Sequence, residues 1–131
     1  MRLLLVDDSD SYRMSLREFF EERGHEVVEA SNGSEAAMRY QENRAEGHPF
    51  NAIITDMSMP VANGLFLLQY LDRLGCDTPC LLHSAEDYYY GKKGELPLDL
   101  REIGEIFPFA QFHVKDLSPA YLKDFMSAAA N

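Results

Sequence analysis

Five side chains that could carry out chemistry each follow a short apolar run of the chain. Asp7 and Asp8 come directly after the first run, and Asp56 follows the third. Ser84 and Lys115 stand at the ends of the fourth and the fifth. Because the carboxyl ends of parallel strands meet at one edge of a sheet, we expect these groups to lie close together if the runs are parallel strands.

The types of these side chains favour the transfer of a phosphoryl group to a carboxylate. Three neighbouring carboxylates repel one another, and a divalent cation relieves that repulsion. Oxygen ligands favour Mg²⁺, with Mn²⁺ as the alternative. The metal and Lys115 would spread the charge of the transferring group, and the Ser84 hydroxyl would orient it. Asp56 is the predicted nucleophile and would share the metal with Asp7 and Asp8.

Each of these side chains also has an ordinary structural interpretation. Asp7 and Asp8 could satisfy the free N–H groups of a following helix, and Asp56 could be a loop acid before a turn. Ser84 could be a polar strand end and Lys115 a solvated lysine. The occurrence of suitable groups at successive strand ends favours one joint site over separate coincidences.

The elements that must position these groups alternate between strand and helix. Continuous apolar runs at 3–6, 52–55 and 80–83 are typical of strands buried on both faces, and 25–30 and 109–114 add two more strands. Alternating units of this kind predict an α/β fold with a five-stranded parallel sheet and helices on both faces. Helical spacing is predicted near 12–23, 33–40, 67–74, 100–107 and 119–126.

Composition is that of a single soluble domain. The chain has 131 residues, of which 46% are hydrophobic, and we interpret 1–131 as one domain. Acidic residues outnumber basic ones by 22 to 12, and the resulting charge of −10 repels nucleic acid and anionic lipid. No stretch approaches the roughly 18 apolar residues of a membrane span. We therefore expect a cytoplasmic protein with reduced thiols at Cys76 and Cys80.

The ordered motifs resemble the receiver domain of bacterial two-component response regulators over essentially the whole chain. The matching stretches are 4–8 (LLVDD), 53–60 (IITDMSMP) followed by Gly64, 81–85 (LLHSA) and 112–115 (FHVK). The resemblance implies the flavodoxin-like strand order 2-1-3-4-5. It also implies a regulatory domain and not an enzyme. Such a domain catalyses only its own phosphorylation and its own slow dephosphorylation.

The resemblance implies a role for each residue of the predicted site. Asp56 resembles the phosphoryl acceptor, Asp8 the direct metal ligand and Asp7 its water-mediated companion. The backbone carbonyl of Ser58 would complete the share of the metal shell that the protein supplies. Lys115 resembles the lysine that pairs with the phosphate.

Three further residues resemble the parts of the family's switch. Ser84 resembles the hydroxyl that binds the phosphoryl group, although threonine is commoner there, and Ala85 is suitably small beside it. Phe112 stands where the family has a rotameric aromatic residue. A second departure is Asp116, which replaces the proline that usually follows the lysine.

The segment between the fourth and the fifth predicted strand departs from the family pattern. It is longer than usual, and we expect 88–94 to be a loop. Its tyrosines and lysines form an aromatic and basic cluster on an acidic protein. Two interpretations stay open. The cluster could contact a partner, either an acidic protein or a second copy of the chain in a homodimer. Alternatively, it could pack over the neighbouring helix. The cluster consists of Tyr88, Tyr89, Tyr90, Lys92 and Lys93.

Two histidines flank the predicted site. His83 precedes Ser84, and His113 lies two residues before Lys115. We interpret both as hydrogen-bonded strand residues rather than metal ligands, because Mg²⁺ prefers oxygen.

A phosphorylation-dependent signalling module is the leading functional hypothesis. Its implied partners are a histidine kinase or a histidine phosphotransfer protein, and an output partner. One alternative is a phosphohydrolase of the haloacid-dehalogenase type, because 8–11 (DSDS) loosely resembles its nucleophile motif. The other is a pseudo-receiver that binds partners without phosphorylation. The sequence leaves open whether the chain is a whole protein or part of a longer regulator.

Overall fold

A parallel sheet forms the centre of the computed structural model, which describes residues 1–91 and 95–130. The strands of the described residues are β1 (Arg2–Val6), β2 (Glu26–Ala30), β3 (Ala52–Asp56), β4 (Cys80–Ser84), β5 (Tyr88–Tyr89), β6 (Leu98–Asp99) and β7 (Ala110–Val114). The central sheet has the order β2-β1-β3-β4-β7, so the predicted five-stranded order is confirmed. The two short strands β5 and β6 pair separately and antiparallel.

The longer helices begin where the sequence supplies a capping side chain. Ser9, Asn32, Asn63 and Ser118 each accept a hydrogen bond from the backbone N–H three residues later. Such side chains satisfy one of the free N–H groups at a helix start. The helices are α1 (Asp10–Glu21), α2 (Gly33–Ala45), α3 (Gly64–Arg73), α4 (Ile103–Ile106) and α5 (Pro119–Ala129).

The sheet is buried on both faces, as its continuous apolar strands predict. Alternate strand residues such as Leu4 and Ile53 pack into one core layer with the buried faces of α2 and α3. Their neighbours Leu3 and Ile54 pack into a second layer with residues of α1 and α5. Fully burying one such side chain contributes about 1.5–3 kcal/mol, so the two layers hold the sheet rigidly.

The segment between β4 and β7 corrects two predictions. The loop expected at 88–94 is wrong for Tyr88 and Tyr89, which form β5 and pair with Asp99 and Leu98 of β6. The remainder of that loop includes Lys92 and Lys93, which lie outside the described residues.

The helix expected at 100–107 forms only in part, because its first turn is a tighter 3₁₀ turn. Leu100–Glu102 is a 3₁₀ turn whose start is capped by Asp99, and α4 adds four residues. Of the apolar stripe, Leu100, Ile103 and Phe107 are buried, whereas Ile106 is exposed. Because a helix this short has little stability of its own, packing rather than propensity sets its length.

Among the described residues, no helix combines the length and the apolar character that a membrane span requires.

Candidate functional site

Strand pairing brings the predicted site residues to one edge of the sheet. Val6 pairs with Thr55, so Asp7 follows β1 beside Asp56 at the end of β3. The backbone carbonyl of Ser84, at the end of β4, accepts a hydrogen bond of 2.7 Å from the backbone N–H of Lys115, which follows β7. Carboxylate oxygens of the three aspartates, Asp7, Asp8 and Asp56, lie within 4.8 Å of one another.

Asp56 is a buried carboxylate that contacts the ammonium group of Lys115. Its side chain is 3% exposed, and Oδ2 lies 3.5 Å from Nζ of Lys115. Oδ1 accepts a weak hydrogen bond of 3.4 Å from the backbone N–H of Ser58. Burial raises the pKa of Asp56, and the charge of Lys115 opposes that rise. Among the described residues, the buried Asp56 carboxylate therefore has Lys115 as its positively charged neighbour.

Asp7 is a buried carboxylate that is only half satisfied. Oδ1 accepts a hydrogen bond of 2.8 Å from the backbone N–H of Ser9, whereas Oδ2 is buried and has no hydrogen-bond partner in the described part of the chain. Burial raises the pKa of Asp7, and the charges of Asp56 and Asp8 add to the rise. A divalent cation would remove this electrostatic cost, so the residues present fit such an ion.

Two cavities border the carboxylates. The cavity that we call the metal-side cavity, of about 420 Å³, is lined by Asp8, Ser58 and Asn63 together with Tyr89. The acceptor cavity, of about 360 Å³, is lined by Asp56, Ser84, Ala85 and Lys115 on one part of its wall and by Tyr88, Tyr89 and Tyr90 on another. Cavities of these volumes are large enough for a small phosphoryl donor.

The loop after β3 is held close to the acceptor by a glycine. The backbone N–H of Gly64 donates to the carbonyl of Met57 at 2.9 Å. A Cβ on Gly64 would lie 2.6 Å from the carbonyl oxygen of Asp56, so only glycine fits there. In the same loop, Val61 is exposed and has a φ of +69°, an unusual backbone for a β-branched residue.

The predicted switch residues lie at different depths. Ser84 is buried, and its Oγ accepts a hydrogen bond of 3.2 Å from the backbone N–H of Glu86. Ala85 is exposed at the acceptor cavity. Phe112 is half-buried in β7, opposite Leu82, and packs against the core layer that contains α2 and α3.

The replacement of proline by Asp116 has a backbone explanation. Asp116 has a φ of +78°. Proline fixes φ near −65°, so it cannot occupy this conformation, whereas aspartate tolerates it. The chain therefore leaves β7 by a different turn from the one that a proline would impose.

The prediction of hydrogen-bonded histidines is wrong for His83. This side chain is fully buried on the α1 and α5 side of the sheet, and neither ring nitrogen has a hydrogen-bond partner in the described ranges. Its Nε2 lies 3.9 Å from Oδ2 of Asp7. Burial lowers the pKa of His83 to about 4, so the ring is neutral at pH 7. His113, by contrast, contacts the carbonyl of Val114 and packs on Tyr121.

Sequence reasoning missed two aromatic neighbours of the site. The ring of Tyr12 in α1 lies 5.6 Å from that of His83 and 5.8 Å from Nζ of Lys115. Tyr89 borders both cavities and packs against the core. The sequence placed Tyr12 only in a predicted helix, and nothing in it shows that β5 lies beside Asp56.

Comparison with known proteins identifies the class of this fold and site. The family model of the response regulator receiver domain matches residues 3–93. A response regulator receiver protein of Anaeromyxobacter sp. (strain Fw109-5) is 34% identical over 89 residues, which are 66% of this chain and 35% of that protein. The chemotaxis protein CheY of Bacillus subtilis (strain 168) is 31% identical over 85 residues, 64% of this chain and 67% of CheY.

Solved structures share this fold along nearly the whole chain. CheY4 of Vibrio cholerae is 26% identical with a TM-score of 0.74, and the match covers 98% of this chain and 97% of that one. CheY of Borrelia burgdorferi, solved in a CheX-CheY-BeF3-Mg²⁺ complex, is 22% identical with a TM-score of 0.79 and shares the fold; the match covers 100% of this chain and 90% of that one.

The chain belongs to the response regulator receiver domain family, whose members act in two-component signal transduction. It spans about a third of the Anaeromyxobacter relative and 67% of CheY. Because the family match ends at residue 93, the interpretation of 1–131 as one receiver domain stays a prediction.

Proposed function

We propose that this protein is a phosphorylation-dependent signalling domain that accepts a phosphoryl group on Asp56. The observation that carries the proposal is the arrangement of Asp56, which lies 3.5 Å from the Lys115 ammonium and within the cluster of three carboxylates. An isolated loop acid would have neither neighbour. We also propose that the protein is located in the cytoplasm.

The proposed reaction is an in-line displacement at phosphorus. A carboxylate oxygen of Asp56 attacks, the bond from phosphorus to the donor's nitrogen or oxygen breaks, and the donor departs with that electron pair. Lys115 stabilises the negative charge on the transferring oxygens, and the Ser84 hydroxyl donates a hydrogen bond to one of them. The backbone N–H of Ser58 holds the unreacting oxygen of Asp56 in place.

Asp7, Asp8, Asp56 and the carbonyl of Ser58 would hold Mg²⁺, or Mn²⁺ in its place. The ion supplies charge neutralisation for the transferring oxygens. The structure supports the assignment through the half-satisfied carboxylate of Asp7 and through the exposure of Asp8, which reaches the metal-side cavity.

Phosphorylation would bias the connection after β4. A hydrogen bond from Ser84 to the phosphoryl group would draw the residues after β4, including the small Ala85, toward Asp56. Phe112, half-buried in β7, would then repack behind them. This rearrangement would pass the phosphorylation state to the hairpin β5–β6, and from there to a partner.

The phosphoryl donor would be a histidine kinase or a histidine phosphotransfer protein. A structural neighbour is the receiver domain of the hybrid histidine kinase CckA, and CheY of Borrelia burgdorferi is found with CheX. On the hairpin, Tyr88 and Tyr90 are 36% and 67% exposed, which suits a contact with an output partner or a second copy of this chain. Lys92 and Lys93, predicted to share that contact, lie beyond the described residues.

The site gives little support to the phosphohydrolase alternative. Asp10, the second acid of its motif, forms an ion pair of 2.7 Å with Arg13 and is 88% exposed. The family match is to receivers. The pseudo-receiver alternative has no such geometric objection, and labelling distinguishes it from the proposal.

Phosphorylation by acetyl phosphate with Mg²⁺ tests the proposal. We expect intact-mass spectrometry to show one added phosphoryl group on the parent protein and none on Asp56→Asn. Asp72→Asn, an exposed acid of α3, is the matched control and should label like the parent. Equal labelling of Asp56→Asn would contradict the assignment, and failure of the parent to take phosphate from any donor would favour the pseudo-receiver.

A further inference from the structure

Tyr89 lines both the acceptor cavity and the metal-side cavity, as Met57 and Ser58 also do. The acceptor cavity, of about 360 Å³, is lined in addition by Asp56, Ser84 and Lys115. Of the three shared residues, only Tyr89 belongs to the connection between β4 and β7. Removing its ring would enlarge the space beside the acceptor.

Packing and backbone pairing fix Tyr89 in this place. Its side chain is half-buried and packs against the core layer that contains α2 and α3. Its backbone pairs with that of Leu98, whose side chain packs against the same layer. Because core packing and strand pairing both hold Tyr89, its side chain is a fixed part of the cavity wall.

Arg101 ties the other residue of β5 to the turn that follows β6. Its guanidinium donates to Tyr88 Oη at 2.9 Å and to the Asp99 carboxylate at 2.9 and 2.8 Å. The backbone N–H of Leu100 donates to the carbonyl of Asp87 at 2.8 Å, just before the hairpin begins. These contacts hold β5 against the cavity independently of the contacts that Tyr89 makes.

We propose that Tyr89 covers phosphorylated Asp56 and slows its hydrolysis by restricting the approach of water. The inference rests on the proposed function of Asp56. In hydrolysis, a water oxygen attacks phosphorus, the bond from phosphorus to Asp56 breaks, the free carboxylate departs and the water's protons pass to phosphate and solvent. Because excluding water protects a reactive intermediate from this reaction, the wall formed by Tyr89 lengthens the life of the signalling state.

The test compares the decay of phosphorylated variants after the donor has been removed. The parent, Tyr89→Ala, Tyr89→Val and Tyr89→Phe are labelled with acetyl phosphate and Mg²⁺, desalted into Mg²⁺ buffer, and followed by intact-mass spectrometry well below their unfolding temperatures. We expect Tyr89→Ala and Tyr89→Val to shorten the half-life by about fivefold. Tyr89→Phe keeps the ring and should decay like the parent. Tyr89→Val keeps a strand-forming side chain in case Tyr89→Ala folds poorly.

Leu96→Ala is the matched control, since Leu96 belongs to the same connection but is 92% exposed. Its half-life should equal that of the parent. Unchanged decay of Tyr89→Ala and Tyr89→Val, or equally fast decay of Tyr89→Phe, would overturn the covering role while leaving the acceptor assignment intact. A parent protein that takes no label would instead overturn the proposed function, and the inference with it.

Discussion

Asp7 and Asp8 are neighbours in the chain, yet only Asp8 is exposed to solvent. The buried Asp7 keeps one oxygen for the backbone N–H of Ser9 and leaves the other without a partner in the part of the chain that the structure describes. The exposure of Asp8 fits the direct metal contact that we propose for it, whereas the water-mediated contact of Asp7 stays a prediction.

The first residue-scale prediction separates metal binding from phosphate binding. Asp8→Ala should weaken Mg²⁺ binding by about tenfold or more, because it removes a carboxylate ligand. Ser84→Ala should keep the parent's Mg²⁺ affinity, since its hydroxyl faces the acceptor cavity. Tyrosine fluorescence can follow the titration, because the chain has no tryptophan and Tyr89 lines the metal-side cavity. Parent-like affinity in Asp8→Ala would show that the metal binds elsewhere.

The second residue-scale prediction concerns the buried imidazole of His83. Its pKa falls from 6.5 to about 4 on folding, so between these pH values the unfolded chain binds a proton that the folded chain does not. This group's contribution to stability is therefore complete above pH 6.5 and is lost as the pH falls toward 4, by at most about 1.4 kcal/mol per pH unit.

We expect His83→Leu to remove this acid-dependent loss, and urea unfolding at several pH values between 7 and about 4.5 measures it. His48→Leu, at an exposed position, should keep the parent's pH dependence. The same steep loss in His83→Leu as in the parent would show that other groups cause it.

The sequence predicted the acids, the lysine and the serine of the site because strand ends can be recognised from continuous apolar runs. Its prediction that His83 is hydrogen-bonded was wrong, because the polar groups that surround a buried imidazole depend on packing against α1 and pairing with β7, which are distant in the chain. The place of Tyr89 was missed for the same reason.

At the scale of elements, strands and caps followed local signals, while the connection from β4 to β7 did not. Asn32 and Ser118 cap helices where the sequence placed helix starts. The hairpin β5–β6 has only two residue pairs, too few for an alternating pattern to reveal its strands. Its position comes from packing against the core and from the bonds of Arg101, which propensities cannot show.

The turn after β7 gives an element-scale prediction. Asp116→Pro should lower the free energy of unfolding by about 3 kcal/mol, because proline cannot adopt the φ of +78°. Asp116→Gly should stay within about 1 kcal/mol of the parent, since glycine adopts this backbone freely. Urea denaturation measures both variants. A proline variant as stable as the parent would mean that the turn readily adopts the arrangement usual in the family.

At the scale of the whole molecule, the parallel sheet brings together side chains that are distant in the sequence. Asp7 and Asp8 lie beside Asp56, and Asp56 lies 3.5 Å from Lys115. The two core layers bury the strands on both faces, so the strand ends form a rigid edge. The hairpin β5–β6 places Tyr89 in the wall of the acceptor cavity. We propose that this rigid edge of the sheet directs phosphorylation to one carboxylate, that of Asp56.

Mapping the phosphorylated residue tests that claim most directly. Sodium borohydride reduces an acyl phosphate to an alcohol, so a phosphorylated aspartate becomes homoserine. After labelling with acetyl phosphate and Mg²⁺, reduction and peptide sequencing by mass spectrometry, we expect homoserine at position 56 alone. Homoserine at position 7 or 8, with Asp56 unchanged, would contradict the account.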